Sequence, residues 1–411
     1  MAPSPVTLLL AELRSGERSC AEVAATHLDL LRRVDATTNA VASFEDDRAM
    51  ADARALDDSM ASGEPPGPLH GLPITVKDWI DVEGFVCAGE TDRHGDRRPP
   101  VDASVVARLR GAGAVVVAKT KAWGPADADH RVRHPLAGDR SPGGSSTGEA
   151  VVVASGASVL GFGSDSGGSI RLPAAWCGVY GFKPTAGLVP TTGHFPRVGP
   201  LSDGRTQIGP LSRDLDAIEL VLPIIAGPDG HDAGVAPVSL QPSSRAAIRD
   251  ARFAVLPDDP NWSVSAAIAD AVETAATRLA AAGLRRVAWT GRWLDDALDI
   301  TRRYWSRTQL TGAEAARQLW DWDRFRRQYL EAAEHIDLLL TPVTAETAPL
   351  HRATTGEDFV FTLPASLTGS PAIAVPLGVD QHRLPLSVQL IGRPWEDHRV
   401  LAAAQLLRTS A

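Results

Sequence analysis

The chain has 411 residues, 44% of them hydrophobic, which is enough to bury a large core. A net charge of −9 and a pI near 5.7 argue against a general nucleic-acid binder, whose surface is usually basic. Three cysteines without short spacing, Cys20, Cys87 and Cys177, give neither a disulfide framework nor a metal site, and Cys177 reads as a buried structural thiol.

The first sixty residues read as helices. Leu8-Leu9-Leu10 is too short for a signal peptide and Glu12 interrupts it, while Ser19 and Glu22 form a capping-box pattern ahead of Val23, His27 or Leu28, and Leu30-Leu31 at helical spacing. Gly63 to Pro68 is a break. Leu72 to Val76 reads as a strand carrying Lys77 at its end. Val105 to Arg110 reads as a helix, Ala114 to Ala118 as a buried strand, and Ala150 to Ala157 as a helix of small apolar residues. Ser158 to Phe162 is a strand leading into a glycine turn. Val235 to Ser244 is the one candidate hinge and reads better as a surface loop. Further on, Ser265 to Ala282 is an amphipathic helix, Leu284 to Trp289 a strand, and Trp305 to Glu334 helical. Ile336 to Leu340, Ala372 to Pro376 and Leu386 to Ile391 are strands. Alternating strands and helices predict an α/β layered fold. No stretch approaches the roughly 20 apolar residues needed to span a bilayer, so a soluble, cytoplasmic protein without membrane contact is expected.

Three blocks carry chemistry. Gly71-Leu72-Pro73-Ile74-Thr75-Val76-Lys77-Asp78 offers a lysine in apolar surroundings, and burial lowers a lysine's pKa because its charged form is desolvated. Asp78 opposes that shift only if it faces Lys77, and neighbouring side chains on a strand point apart. Gly143-Gly144-Ser145-Ser146-Thr147-Gly148-Glu149 follows, then Gly163-Ser164-Asp165-Ser166-Gly167-Gly168-Ser169-Ile170-Arg171. Ser145 lies 68 residues beyond Lys77, and Ser169 lies 24 beyond Ser145. Together they supply a serine nucleophile, a second serine to relay a proton, and a base. The glycines bare the backbone, making the N–H groups of Ser166, Gly167, Gly168 and Ser169 the oxyanion-hole candidates. No histidine sits in these blocks with a role as base; His194 is nearest to Ser169 in sequence. Ser146 suits the N-cap of the following helix.

The order and spacing of these blocks resemble the amidase signature family of Ser–Ser–Lys amidohydrolases. Cys177 to Thr185, Gly209-Pro210-Leu211-Ser212-Arg213-Asp214, Ile225 to Gly230 and the C-terminal segments Thr362 to Ala372 and Leu384 to Gly392 extend the resemblance over most of the chain. It implies one α/β domain with a large mixed sheet flanked by helices. An N-terminal helical segment (1–62), a core bearing the signature (63–230), a variable helical or cap region (231–335) and C-terminal strands (336–411) would divide it. Ser169 would attack the carbonyl of a small-molecule amide substrate, and Ser145, preceded by a cis peptide bond, would bridge Lys77 and Ser169. Ser164 would support the relay, while Asp165 and Arg171 hold the turn. No metal or organic cofactor is implied; a homodimer is compatible.

Several positions depart from the family pattern. Thr147 replaces a common glycine, Ser366 and Ser370 stand where asparagines are common, and Ala122 to Asp139 does not match, leaving His130 and His134 without a role. The expected activity is hydrolysis of a linear amide through an acyl-enzyme. Alternatives are a glutaminase component of a tRNA-dependent amidotransferase and a biosynthetic acyltransferase. The short stretch between the Val287 and Ile336 strands argues against the amidotransferase. It reads as a short turn followed by one helical segment, predicting an open, apolar acyl pocket with Trp123, Trp176 and Trp305 as candidate walls.

Overall fold

Among the described residues, runs of valine, leucine and isoleucine between glycine and proline turns supply most of the eleven strands of one sheet. The computed structural model describes residues 3–89, 95–122, 131–199, 203–256, 259–289, 291 and 293–408. In chain order the strands are β1 (Val41–Ser43), β2 (Pro73–Lys77), β3 (Val115–Thr120), β4 (Leu160–Asp165), β5 (Tyr180–Lys183), β6 (Gln207–Ser212), β7 (Arg252–Val255), β8 (Arg285–Arg286), β9 (Leu338–Pro342), β10 (Ala372–Val379) and β11 (Pro385–Gly392). Their order across the sheet is β1-β3-β2-β4-β6-β5-β10-β11-β9-β7-β8. The β3-β2-β4 trio is parallel, as are β9-β7-β8, and the strands between them pair antiparallel. The mixed α/β sheet expected from the sequence is therefore present.

The helices are α1 (Pro5–Ser15), α2 (Cys20–Thr38), α3 (Asp46–Ala61), α4 (Ser104–Gly111), α5 (Thr147–Ala154), α6 (Arg171–Cys177), α7 (Leu215–Ile225), α8 (Ala266–Ala281), α9 (Leu294–Trp305), α10 (Gly312–Ala332), α11 (Leu363–Thr368) and α12 (Asp397–Leu407). The Ser19–Glu22 capping box forms as read. Strand alternation sorts side chains between the two faces of the sheet. Ile74 and Val76 of β2 join the core that includes Val105, Val106, Ile218 and Val221 of α4 and α7. Thr75 turns the other way, to Glu149 of α5. Helix α5 is wholly buried in its first seven residues, and its alanine and valine side chains let it lie close against the sheet beside α2 and β3.

Four readings needed correction. Only Arg285–Arg286 of the expected Leu284–Trp289 strand pairs with the sheet; Trp289 leaves it to pack on Tyr329, their rings 5.7 Å apart. The Trp305 to Glu334 stretch is broken at Thr311, whose side chain starts α10 with a capping box to Glu314. The segment before it is no short turn. Leu294, Ala297, Leu298, Thr301 and Tyr304 recur at helical spacing, and α9 buries this stripe, its apolar members joining a third apolar cluster with α10 and α11. Within residues 231–335, β7 and β8 also extend the sheet instead of forming part of a cap. Val235–Ser244 carries no helix or strand.

Candidate active site

Parallel strands β2, β3 and β4 end on the same side of the sheet, and such strand ends are where open α/β sheets gather polar groups. Lys77, Thr120 and Asp165 are the last residues of these strands. Lys77 is fully buried. Its Nζ lies 2.6 Å from Ser145 Oγ, 3.3 Å from Ser146 Oγ and 3.2 Å from Ser164 Oγ, and 4.1 Å from the ring centre of Trp79. The Gly144–Ser145 peptide is cis. Ser146 stands at the N-cap of α5 without capping it. Its hydroxyl instead meets Lys77, accepts from Ser164 N–H at 3.3 Å and donates to Ser164 C=O at 3.3 Å. Thr147, the bulky replacement, donates its hydroxyl to Gly143 C=O at 3.0 Å and so folds back on its own loop.

Ser169 follows the end of β4 by four residues, at the glycine turn. Its carbonyl accepts from Ser146 N–H at 3.0 Å, which ties the turn to the Ser145–Ser146 loop. The expected contact between Lys77 and Ser145 is present, whereas Ser169 Oγ makes no hydrogen bond to Ser145 Oγ. Gly168 has φ +134°, and a Cβ there would meet Thr362 Oγ1 at 2.2 Å, so this position requires glycine. Its N–H donates to Asp165 Oδ1 at 2.7 Å. Gly168 is therefore removed from the oxyanion-hole candidates, because its only donor is committed to a buried carboxylate. Ser166, Gly167 and Ser169 remain.

Asp165 and Arg171 hold the turn as a forked pair, Nε–Oδ2 2.9 Å and Nη2–Oδ1 3.0 Å, with both side chains fully buried. Arg171 also donates to Thr362 C=O, Gln389 Oε1 and Ser366 Oγ at 2.8, 2.6 and 2.8 Å. Ser366 thus completes this network where the family commonly has asparagine. Burial would raise the Asp165 pKa, but Arg171, Lys183 and the Ile170 N–H outweigh it and hold the carboxyl below its usual value. Removing either partner would strand a buried charge, at a cost of about 3–5 kcal/mol.

His194 was not legible as part of this site. Its loop pairs with the residues after Lys77: Ile80 bridges to His194, Asp81 N–H donates to Gly193 C=O and Phe195 N–H to Trp79 C=O. His194 Nδ1 donates to Pro196 C=O at 2.8 Å, which leaves Nε2 to accept from Ser164 Oγ at 3.0 Å. Burial pushes the imidazole down to about 4, and the Lys77 charge adds to this against the Pro196 carbonyl. The sequence signal was weak: a histidine between Gly193 and Pro196, outside the three serine and lysine blocks. His134, also without a role in the sequence, is structural. Its Nε2 donates to Trp176 C=O at 2.8 Å and its Nδ1 accepts from two loop N–H groups. Trp176 is core and Trp305 lies beside Gly167. Trp123 and His130 lie outside the described residues. The cysteines are all buried.

Behind Lys77, Glu149 is buried between Thr75 Oγ1 (2.6 Å) and Thr120 Oγ1 (2.7 Å). Burial pushes its carboxyl up to about 7 against these bonds and the charges of Lys119 and Lys77. The folded chain therefore keeps a proton that the unfolded chain releases above about pH 4.5. Stability falls as pH rises from there to about 7, by at most ~1.4 kcal/mol per pH unit from this group. In Glu149→Gln that contribution vanishes. Thermal melts should show the Tm difference moving in favour of the glutamine variant across this window and levelling off above it. A difference independent of pH would contradict the assignment.

Among the described residues no cluster of three or more histidine, cysteine or acidic side chains is placed to hold a metal, and no helix is long and apolar enough to cross a membrane.

A buried lysine on a parallel strand, two serines on a cis-peptide loop and a third serine on a glycine turn define an amidase-type site. The family model for Amidase matches residues 22–320 and 298–401, and the chain belongs to the amidase signature family, enzymes acting on carbon–nitrogen bonds. Among curated relatives, a glutamyl-tRNA(Gln) amidotransferase subunit of Carboxydothermus hydrogenoformans is 30% identical over 463 aligned positions, covering 96% of this chain and 94% of the relative. Its counterpart in Moorella thermoacetica is 30% identical, covering 97% and 94%. Among solved structures, one from a vestigial protein complex bearing on the origins of an s-triazine catabolic enzyme superposes with TM-score 0.88 at 28% identity, covering 98% of each chain. The corresponding glutamyl-tRNA(Gln) amidotransferase subunit of Thermotoga maritima superposes with TM-score 0.80 at 26% identity, covering 94% and 91%.

Proposed function

We propose that the protein cleaves an amide through an acyl-enzyme on Ser169, with Ser145 as proton relay and Lys77 as base. The observation that carries this reading is the 2.6 Å contact between Lys77 Nζ and Ser145 Oγ, beside the hydroxyls of Ser146 and Ser164. The protons of that set have a defined order. His194 Nδ1–H is held by Pro196, so Ser164 Oγ–H donates to Nε2 and Ser164 can only accept from Lys77. Ser146 Oγ–H donates to the Ser164 carbonyl, so Ser146 likewise accepts from Lys77. A neutral amine has two N–H donors and one lone pair. In its deprotonated form the Lys77 amine offers its lone pair to Ser145, 2.6 Å away, and the Ser145 proton moves onto it. Ser145 then accepts the proton of Ser169. Ser169 Oγ bonds to the acyl carbon, the carbonyl oxygen gains negative charge beside the N–H groups of Ser166, Gly167 and Ser169, and the carbon–nitrogen bond breaks as the relay returns a proton to the departing nitrogen. Water repeats the sequence to release the acid.

A second reading, favoured by the amidotransferase relatives, is that glutamine is the amide and that ammonia passes to a partner protein working on a charged tRNA. The alignment to those relatives runs over 463 positions, more than the 411 residues here, so they carry segments that this chain lacks. Ammonia release from glutamine, acetamide, hexanoamide and phenylacetamide by the protein alone separates the readings. Turnover of several simple amides without a partner is the expected result. Turnover of glutamine alone, and only with partner proteins present, would replace the first reading by the second.

A further inference from the structure

Arg205 precedes β6 and is buried, with 1% of its surface exposed. Its Nη2 donates to Thr301 Oγ1 of α9 at 3.1 Å, while among the described residues Nε and Nη1 are buried without a hydrogen-bond partner. No carboxylate among the described residues lies within 4.0 Å of the guanidinium. Asp203, two residues away, has its oxygens turned to the N–H groups of Arg205 and Thr206 and to Thr206 Oγ1, and Arg307 approaches it at 3.8 Å. The guanidinium lies between aromatic faces, 4.5 Å from the ring centre of Tyr304 and 5.7 Å from that of Trp322. A buried charge with unused donors is costly unless something pairs with it. Burial accordingly pushes Arg205 down to about 10.

Through Nη2 this group borders the glycine turn. The point where a Cβ on Gly167 would stand lies 3.0 Å from Trp305 Cζ2, 3.4 Å from Leu363 Cδ2 and 3.8 Å from Arg205 Nη2. These three side chains therefore wall the bare side of a residue whose N–H is an oxyanion-hole candidate. An acyl group bound there meets an indole edge, a leucine and a guanidinium, so the wholly apolar wall expected from the sequence is not what α9 and Arg205 build. Planar, forked donors are suited to a carboxylate, and a desolvated arginine binds one more strongly than an exposed one.

We propose that the acyl side of the substrate carries a carboxylate on a short chain, held by Arg205, so that the favoured amides are monoamides of short dicarboxylic acids. This rests on the reading of Ser169 as the reacting serine, and it applies to either amide class considered above. Equilibrium binding to Ser169→Ala separates the two claims, because it needs no turnover. Calorimetry with succinamate and glutaramate is compared with their neutral diamides, and repeated with Arg205→Leu or Arg205→Lys added. At least one acid should bind tenfold or more tighter than its diamide; leucine should abolish that preference and lysine should keep part of it. Equal binding of acids and diamides, or a preference that survives Arg205→Leu, overturns the inference. Should Arg205→Leu not fold, the acid-to-diamide ratio in the parent and lysine proteins decides on the same terms. If the acids bind as expected while Ser169 of the unsubstituted protein fails to react with a fluorophosphonate, the assignment of Ser169 falls and that of Arg205 stands.

Discussion

Lys77→Met should lower kcat by about 10²–10⁴-fold, the usual worth of a positioned acid–base group. Methionine keeps much of the length and the apolar stem of the side chain, so the space beneath Ser145 stays largely filled. What is lost is the lone pair that receives the Ser145 proton and the two donors that orient Ser164 and Ser146. The loss should shrink at alkaline pH, where hydroxide takes over part of the base's work. KM should change less than kcat, since Lys77 is buried behind the serines and does not border the acyl side. Steady-state kinetics of wild type and variant across pH would check this. A variant with wild-type kcat, or one whose deficit is the same at every pH, would remove Lys77 from the proton path.

The larger loss is expected for Ser169→Ala, on the order of 10⁶-fold in kcat, as found when a nucleophile is removed from a comparable acyl-transfer site. Stability should hold within about 0.5 kcal/mol. The Ser169 side chain is half-buried, and the turn is held by its backbone and by Asp165 and Arg171 rather than by its hydroxyl. Ammonia-release assays and thermal melts on the same preparation test both halves. Unfolding of the variant would recast Ser169 as structural, and retained turnover would move the nucleophile elsewhere.

The site was legible where its chemistry is local. Lys77 ends an apolar strand block, Ser145 and Ser169 sit in glycine-rich blocks, their spacing is readable in one dimension, and Asp165 and Arg171 flank the same turn six residues apart. The strand ends were found to within one to three residues for β2, β3 and β4 because their apolar runs are continuous. What escaped depends on side chains meeting across the sheet. His194 reaches Ser164 over 30 residues and Arg205 reaches Thr301 over 96, and neither lies in a run with a recognisable period. Helix α9 was missed because its polar face, with Asp295, Asp296, Asp299, Arg302 and Arg303, hides the narrow buried stripe beneath it. The commitment of the Gly168 N–H to Asp165 could not be read at all. A glycine turn shows that donors are bare, not which way each one points.

The proposed chemistry requires Ser169 to be the residue that becomes acylated. Intact-mass measurement after reaction with a fluorophosphonate, followed by peptide mapping, tests this directly. One adduct per chain is predicted, on Ser169, absent from Ser169→Ala and formed far more slowly in Lys77→Met. An adduct on another serine, or equal labelling of wild type and Ser169→Ala, would contradict it.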